Sequence, residues 1–219
     1  MKFKHIRSGK SRHVKEVFLT EALDHVSGRD IAAENMALPK DSVIDVRTVA
    51  SLAAAGVDRV PVYDEPKISI LSIGNELIAP GVPAKPGKVH DASIPMLLAA
   101  LESMRLRPVF VRRLVDEPKT LRRLLPFALN QSDLLVLMAK EAWEDEPFLP
   151  ALLEGMNAPV VPISGESDGA APHFTEDRNA KLVFYLPYEA NLVFKAFYQY
   201  IRPAIQFFMG YPTPAPLKK

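Results

Sequence analysis

Four short stretches of the 219-residue chain carry side chains able to do chemistry. Ser72-Ile73-Gly74-Asn75-Glu76-Leu77 sets an amide and a carboxylate beside a glycine that permits a tight turn. In Gly87-Lys88-Val89-His90-Asp91-Ala92-Ser93, Asp91 and Ser93 stand just before an apolar helical pattern. There they serve either as caps or as part of an anion site at the helix N-terminus. Asp133 opens the apolar run DLLVLM. Ser164-Gly165-Glu166-Ser167 reads as a turn, or as a loop that holds an anion through its amides. His90 beside Asp91 has the chemistry of a base or a metal ligand, although a lone loop histidine is more often a polar surface group. His5, His13, His25 and His173 show no metal-ligand spacing. Glu141, Glu144, Asp145 and Glu146 surround Trp143, which reads equally as a partner anchor or as a lid.

Composition removes whole classes. With no Cys, disulfide frameworks, thiolate zinc sites and thiol catalysis are excluded together. Proline outnumbers glycine 20 to 10, which leaves few positions where backbone approaches a phosphate closely. Catalytic-triad and Walker-type motifs are absent. No apolar run reaches the roughly 20 residues a bilayer requires, and the opening residues do not lead into a signal peptide. The expectation is a cytoplasmic protein that binds neither membrane nor nucleic acid. The net charge of +1 agrees, although the first 16 residues hold six basic side chains against one acid. That basic arm is either a solvated terminus or a contact for an acidic partner.

The elements that must position these residues follow from periodicity. Residues 16–33 repeat apolar positions at helical spacing after Thr20, and Val46–Ala55 reads as a helix stopped by Gly56. Val57–Tyr63 is a predicted strand. From Lys67 onward, predicted strands (Ile68–Ile73, Pro108–Val111, Asp133–Met138, Pro159–Ile163, Leu182–Leu186) alternate with predicted helices (Ser93–Met104, Lys119–Leu129, Phe148–Met156). A long helix, Tyr188–Phe208, closes the chain. Such alternation predicts an α/β fold: a three-layer α/β/α domain with a mainly parallel sheet over 67–212, preceded by a small α+β module over 1–66 and followed by a tail, 213–219. In such sheets ligands sit beyond the carboxyl ends of the strands.

At this point the chain resembles a known family. LSIGNELIAPGVPAKPGKVHDASIPMLLAALESM (71–104) is similar to the opening of the molybdopterin-binding domain of the MoeA/gephyrin E-domain family, which runs strand–STGDEL–loop–PGxIxDSN–helix. ALPKDSVIDVRTVASLAAAGVDRVPVYDEPKISIL (37–71) resembles the family's lead-in, and YIRPAIQFFMGY (200–211) its closing FxRPALxxLxG helix. LTEALDHVSGRDIAA (19–33) resembles its early EALGRVLAEDI element. The similarity runs over roughly residues 19–212. On this reading an inserted domain is missing before residue 38, and the family's C-terminal β-barrel does not follow the closing helix. The N-terminal module then resembles the family's linker domain.

The resemblance implies a protein of molybdenum cofactor biosynthesis with molybdopterin, molybdate and magnesium as its ligands. It also implies a homodimer with cofactor-assembly proteins as partners. Carried over by position, it makes Glu76, Asp91 and Asp133 the catalytic acids, with Ser72, Gly74, Asn75 and Ser93 at the ligand; Ser164 and Gly165 join the ligand candidates only through the anion-loop reading of 164–167. Other loops depart from the family. Its TSGGVSVGDYD is LMAKEAWEDEPF here, so Ala139, Lys140 and Glu144 replace glycines and Pro147 replaces an aspartate. Four acids in that loop would repel a phosphate. KPGKP has no counterpart in PISGESDGAAPHF (162–174), and GLPGNPVSA becomes YLPYEAN, with Tyr188 for glycine. The expectation is therefore a protein that binds a molybdopterin-type ligand or partner with weak or no molybdate insertion. The alternative is a scaffold or regulatory module on the same fold. Whether the chain is a catalyst stays open at this stage.

Overall fold

The computed structural model describes residues 6–7, 14–18, 42–140, 160–162 and 181–211. It divides into two compact units, parting near Glu65–Pro66 and again near Ile205–Gln206.

In the first unit, β1 (Ile6–Arg7), β2 (Val14–Phe18) and β3 (Arg59–Tyr63) form an antiparallel sheet in that order. The helical spacing read from Glu16 gives way here. Glu16–Phe18 belongs to a strand rich in β-branched and aromatic residues, whose backbone pairs with β3 from Val14↔Tyr63 to Phe18↔Arg59. Residues 19–33 lie outside the described residues. Helix α1 (Val46–Ala54) starts where Asp45 Oδ1 accepts from Thr48 N and Thr48 Oγ1, both at 2.8 Å. It ends at Gly56, whose φ of +75° suits a residue without Cβ. Leu52 and Val60 form a small core with Ile44, Val49, Val57 and Val62. Gly210 closes the helix at the end of the chain with φ +84°. A Cβ there would lie 2.0 Å from Cδ2 of the Tyr63 ring.

The second unit is built on a fully parallel five-stranded sheet. Its strands are β4 (Ile68–Ile73), β7 (Phe110–Leu114), β8 (Leu134–Ala139), β9 (Val160–Pro162) and β10 (Leu182–Pro187), in the order β7-β4-β8-β10-β9. Every residue of β4, β8 and β10 is buried, as continuous apolar runs require when both sheet faces are covered. On one face Leu71, Ile73, Leu135, Leu137 and Val183 pack against Leu121, Leu125, Ala128 and Leu129 of α3 (Pro118–Gln131). The opposite-facing residues, among them Ile70, Val136 and Phe184, are equally buried. There α2 (Ser93–Ser103) packs on α4 (Ala190–Ala196), which also contacts β10. The two-residue strands β5 (Leu77–Ile78) and β6 (Val89–His90) pair in parallel and bracket an exposed loop over 80–88. This is the three-layer α/β arrangement expected from the alternation of elements.

Two departures from the expected elements go beyond one or two residues at an end. β7 runs to Leu114 and takes in Arg112 and Arg113, whose charge hid the strand pattern. Pro108, without an N–H, stays outside it. The single closing helix is interrupted: α4 is followed by a π-helical turn, Phe197–Ile201, and then α5 (Arg202–Phe208). Arg202 N donates to Phe197 O, five residues back, and Pro203 has no N–H to continue the normal ladder. The predicted helix Phe148–Met156 lies outside the described residues.

Candidate functional site

The carboxyl ends of the parallel strands gather several chemically active side chains of the second unit's described residues. Gly74 follows β4 and donates its N–H to Leu114 O at 3.1 Å. Its φ is ordinary, and its need for glycine is spatial. A Cβ there would stand 3.0 Å from Glu76 Oε2 and 3.1 Å from the Leu77 side chain. Glu76 therefore folds one carboxylate oxygen back over Gly74, while Oε1 accepts from the Tyr188 hydroxyl at 2.8 Å.

Burial pushes Glu76 up. Its own backbone N–H, the Tyr188 hydroxyl and the charges of Lys140 and Lys88 outweigh that and hold the carboxyl below its ordinary value. Tyr188 moves the opposite way. Burial, then the hydrogen bond to Glu76, then the charges of Glu76 and Glu189, push its phenol up to about 12. The pair is thus a neutral donor on an ionised acceptor.

Asp91 is the second acid at this edge and is almost wholly buried. Oδ1 accepts from the backbone of Ser93 and Ile94, both at 3.1 Å, which satisfies orphan donors of α2. Oδ2 accepts from Arg113 Nε at 3.1 Å, across to the edge strand β7. Ser93 is buried, and its hydroxyl donates to Tyr188 O. Asn75 is exposed and organises the loop: its Oδ1 accepts from Asp116 N at 3.0 Å and its backbone oxygen from Lys88 Nζ at 2.7 Å. Ser72 is fully buried at the end of β4, and its Oγ has no hydrogen-bond partner. Glu189 Oε2 is likewise buried without one.

The structure thus brings Ser72, Gly74, Asn75, Glu76, Asp91 and Ser93 to one end of the sheet. It does not bring Asp133 there. Asp133 precedes β8 and lies at the amino end, where Oδ2 accepts from Lys67 N at 2.8 Å and Asp133 N donates to Lys67 O at 2.8 Å. Six residues of strand, about 20 Å at 3.3 Å each, separate it from Lys140 at the other end. Its carboxylate fastens the start of β4 to β8. Ser164, Gly165, Trp143 and the acids from 141 to 146 lie outside the described residues. His90 is exposed, and its Nε2 donates to Val82 O at 2.8 Å, which occupies that nitrogen. Two participants were not among the candidate site residues, Arg113 and Tyr188. The substitution of Tyr188 for glycine was visible in the sequence, but nothing there showed that its hydroxyl reaches a residue 112 positions away.

Among the described residues no group of three or more His, Asp or Glu is arranged to hold a metal ion. The two retained acids do not fit a magnesium site either, because both Asp91 oxygens and one Glu76 oxygen already accept protein donors. Among the described residues no helix is long and apolar enough to cross a membrane.

Comparison with known proteins agrees with this architecture. No family model matches the chain. It is 25% identical over 193 residues to the molybdopterin molybdenumtransferase of Bacillus subtilis, covering 87% of this chain and 45% of that protein. It is 24% identical over 193 residues to molybdopterin molybdenumtransferase 2 of Mycobacterium tuberculosis, covering 86% and 48%. The chain therefore spans under half the length of these relatives. Among solved structures, a molybdopterin biosynthesis MoeA protein of Pyrococcus horikoshii superposes with a TM-score of 0.55 at 22% identity, covering 78% of this chain and 42% of that one. A molybdenum cofactor biosynthesis protein of Pyrococcus furiosus gives 0.54 at 19% identity, covering 91% and 66%. The fold is that of MoeA proteins, and the curated relatives are molybdopterin molybdenumtransferases.

Proposed function

We propose that this chain is a MoeA-type protein of molybdenum cofactor biosynthesis that binds a molybdopterin-type ligand or partner and inserts molybdate weakly or not at all. One observation carries the reading. The two acids that the family resemblance leaves at the strand ends are taken up by the protein's own donors, Asp91 by Arg113 and the α2 backbone and Glu76 by Tyr188. A carboxylate held this way is poorly placed to accept a proton or a cation from a reacting substrate. The third acid, Asp133, is spent on the opposite edge. No metal-dependent step is assigned, since the acids among the described residues do not fit the ion.

Calorimetric titration of the purified chain with molybdopterin, with and without molybdate, tests this. Saturable heat without formation of inserted cofactor is expected. Insertion at the rate of a full-length enzyme would overturn the weak-or-inactive part, and no heat at high micromolar ligand would overturn ligand binding.

A scaffold or regulatory role is the second reading. It draws on exposed Phe194 and Tyr198, whose rings lie 4.8 Å apart with Arg202 over Tyr198, a surface suited to gripping a partner. The family resemblance also implies a homodimer, for which light scattering of the pure protein should return twice the 24.3 kDa chain mass.

A further inference from the structure

The topology sets a geometric problem at the strand ends that one side chain solves. β8 lies between β4 and β10. Neighbouring strands are about 4.8 Å apart, so the ends of β4 and β10 are about 9.6 Å apart with the end of β8 between them. In an open parallel sheet this is where a ligand settles. The Tyr188 hydroxyl on Glu76 at 2.8 Å joins the segment after β10 to the segment after β4, the two strands that flank β8.

We propose that Tyr188 is a displaceable plug over this crevice, and that a flat ligand bearing N–H donors binds there by taking the place of the phenol on Glu76. This rests on the ligand-binding reading above. Three features separate a plug from a permanent brace. The Tyr188 backbone is pinned independently of its ring, its N–H donating to Ala139 O at 3.2 Å and its carbonyl accepting from Ser93 Oγ. The ring can therefore leave without disturbing the junction of β10 and α4. Tyr188 and Glu76 are both only partly buried, so water can replace the hydrogen bond between them. Glu76 stays in position when the phenol departs, because Oε2 is packed over Gly74.

The ligand chemistry follows from what the crevice offers. The vacated Glu76 Oε1 is an ionised acceptor, and one residue beyond Tyr188 the buried Glu189 Oε2 has no donor. An entrant must bring N–H groups on a body about the size and flatness of the phenol it replaces.

The test compares wild type, Tyr188→Phe and Tyr188→Gly as full chains, titrated with molybdopterin by calorimetry after circular dichroism has confirmed the fold. Removing the ring should tighten binding at least tenfold, and removing only the hydroxyl should tighten it severalfold. Equal affinity in all three would overturn the plug and leave the ligand-binding reading standing. Binding by the variants with none by wild type would support the plug and overturn binding by the natural chain. No binding by any of them would overturn both. Should Tyr188→Gly fail to fold, Tyr188→Phe decides alone: unchanged affinity overturns the proposal and a severalfold gain supports it.

Discussion

At the scale of single residues, the site is a set of acids whose partners decide what they are free to do. Glu76 and Tyr188 make a pH-dependent pair whose signs can be worked out. The Tyr188 phenol is raised to about 12 in the folded chain against about 10 unfolded. Its contribution is therefore complete below about pH 10 and lost as pH rises from there to 12. Glu76 is lowered, so its contribution is complete above the ordinary glutamate range and lost as pH falls through it. Tyr188→Phe should cost about 1 kcal/mol at pH 7, since the hydrogen bond is charge-assisted but partly exposed. Chemical denaturation across pH should show that difference level between about pH 5 and 10 and shrinking on both sides; a pH-independent difference would remove the assignment.

Asp91 is the more costly residue to change, because its side chain is 1% exposed and holds both Arg113 and two α2 donors. Asp91→Ala should cost about 3 kcal/mol in urea unfolding. Asp91→Asn keeps an acceptor for the helix and should cost less. Equal losses in the two would mean that the Arg113 pairing, not the cap, carries the effect.

At the scale of elements, the strand ends work because each element finishes where a neighbour can use its last residues. The helix after β10 breaks into a π turn just ahead of Pro203, which has no N–H to donate. The turn carries buried Phe197, Tyr200 and Ile201 while leaving Phe194 and Tyr198 outside. The end of α5 depends on Gly210, where a Cβ would meet the Tyr63 ring at 2.0 Å and φ is +84°. Gly210→Ala combines a clash with a left-handed strain and should cost about 2–4 kcal/mol. Thermal melting should show a drop of at least several degrees. An unchanged midpoint would mean that the Tyr63 ring rotates away freely. Strand limits were legible where an apolar run ended at a turn residue, as at Ile68–Ile73. They were not legible where charge interrupted the run, as at Arg112–Arg113, because periodicity records burial and not backbone pairing.

At the scale of the whole molecule, one parallel sheet covered on both faces provides the stability that lets its edge loops diverge. Leu137 lies at the centre of that sheet with no exposed surface. Leu137→Ala should cost about 2–5 kcal/mol and lower the urea midpoint without changing the slope, and a change in slope would point to loss of cooperative folding. The alternation of apolar runs and amphipathic helices determined the α/β class, because burial on both faces of a strand and on one face of a helix is written directly in residue spacing. It also determined that Glu76 and Asp91 would reach the carboxyl edge, since Glu76 follows β4 by three residues and Asp91 stands just before the helix that leaves that edge. What only the tertiary structure decided is which groups meet there. Asp133 meets Lys67 at the amino edge because β8 pairs with β4. Tyr188 came to Glu76 because parallel crossovers set the end of β10 two strands from the end of β4, a separation in space that no separation along the chain encodes.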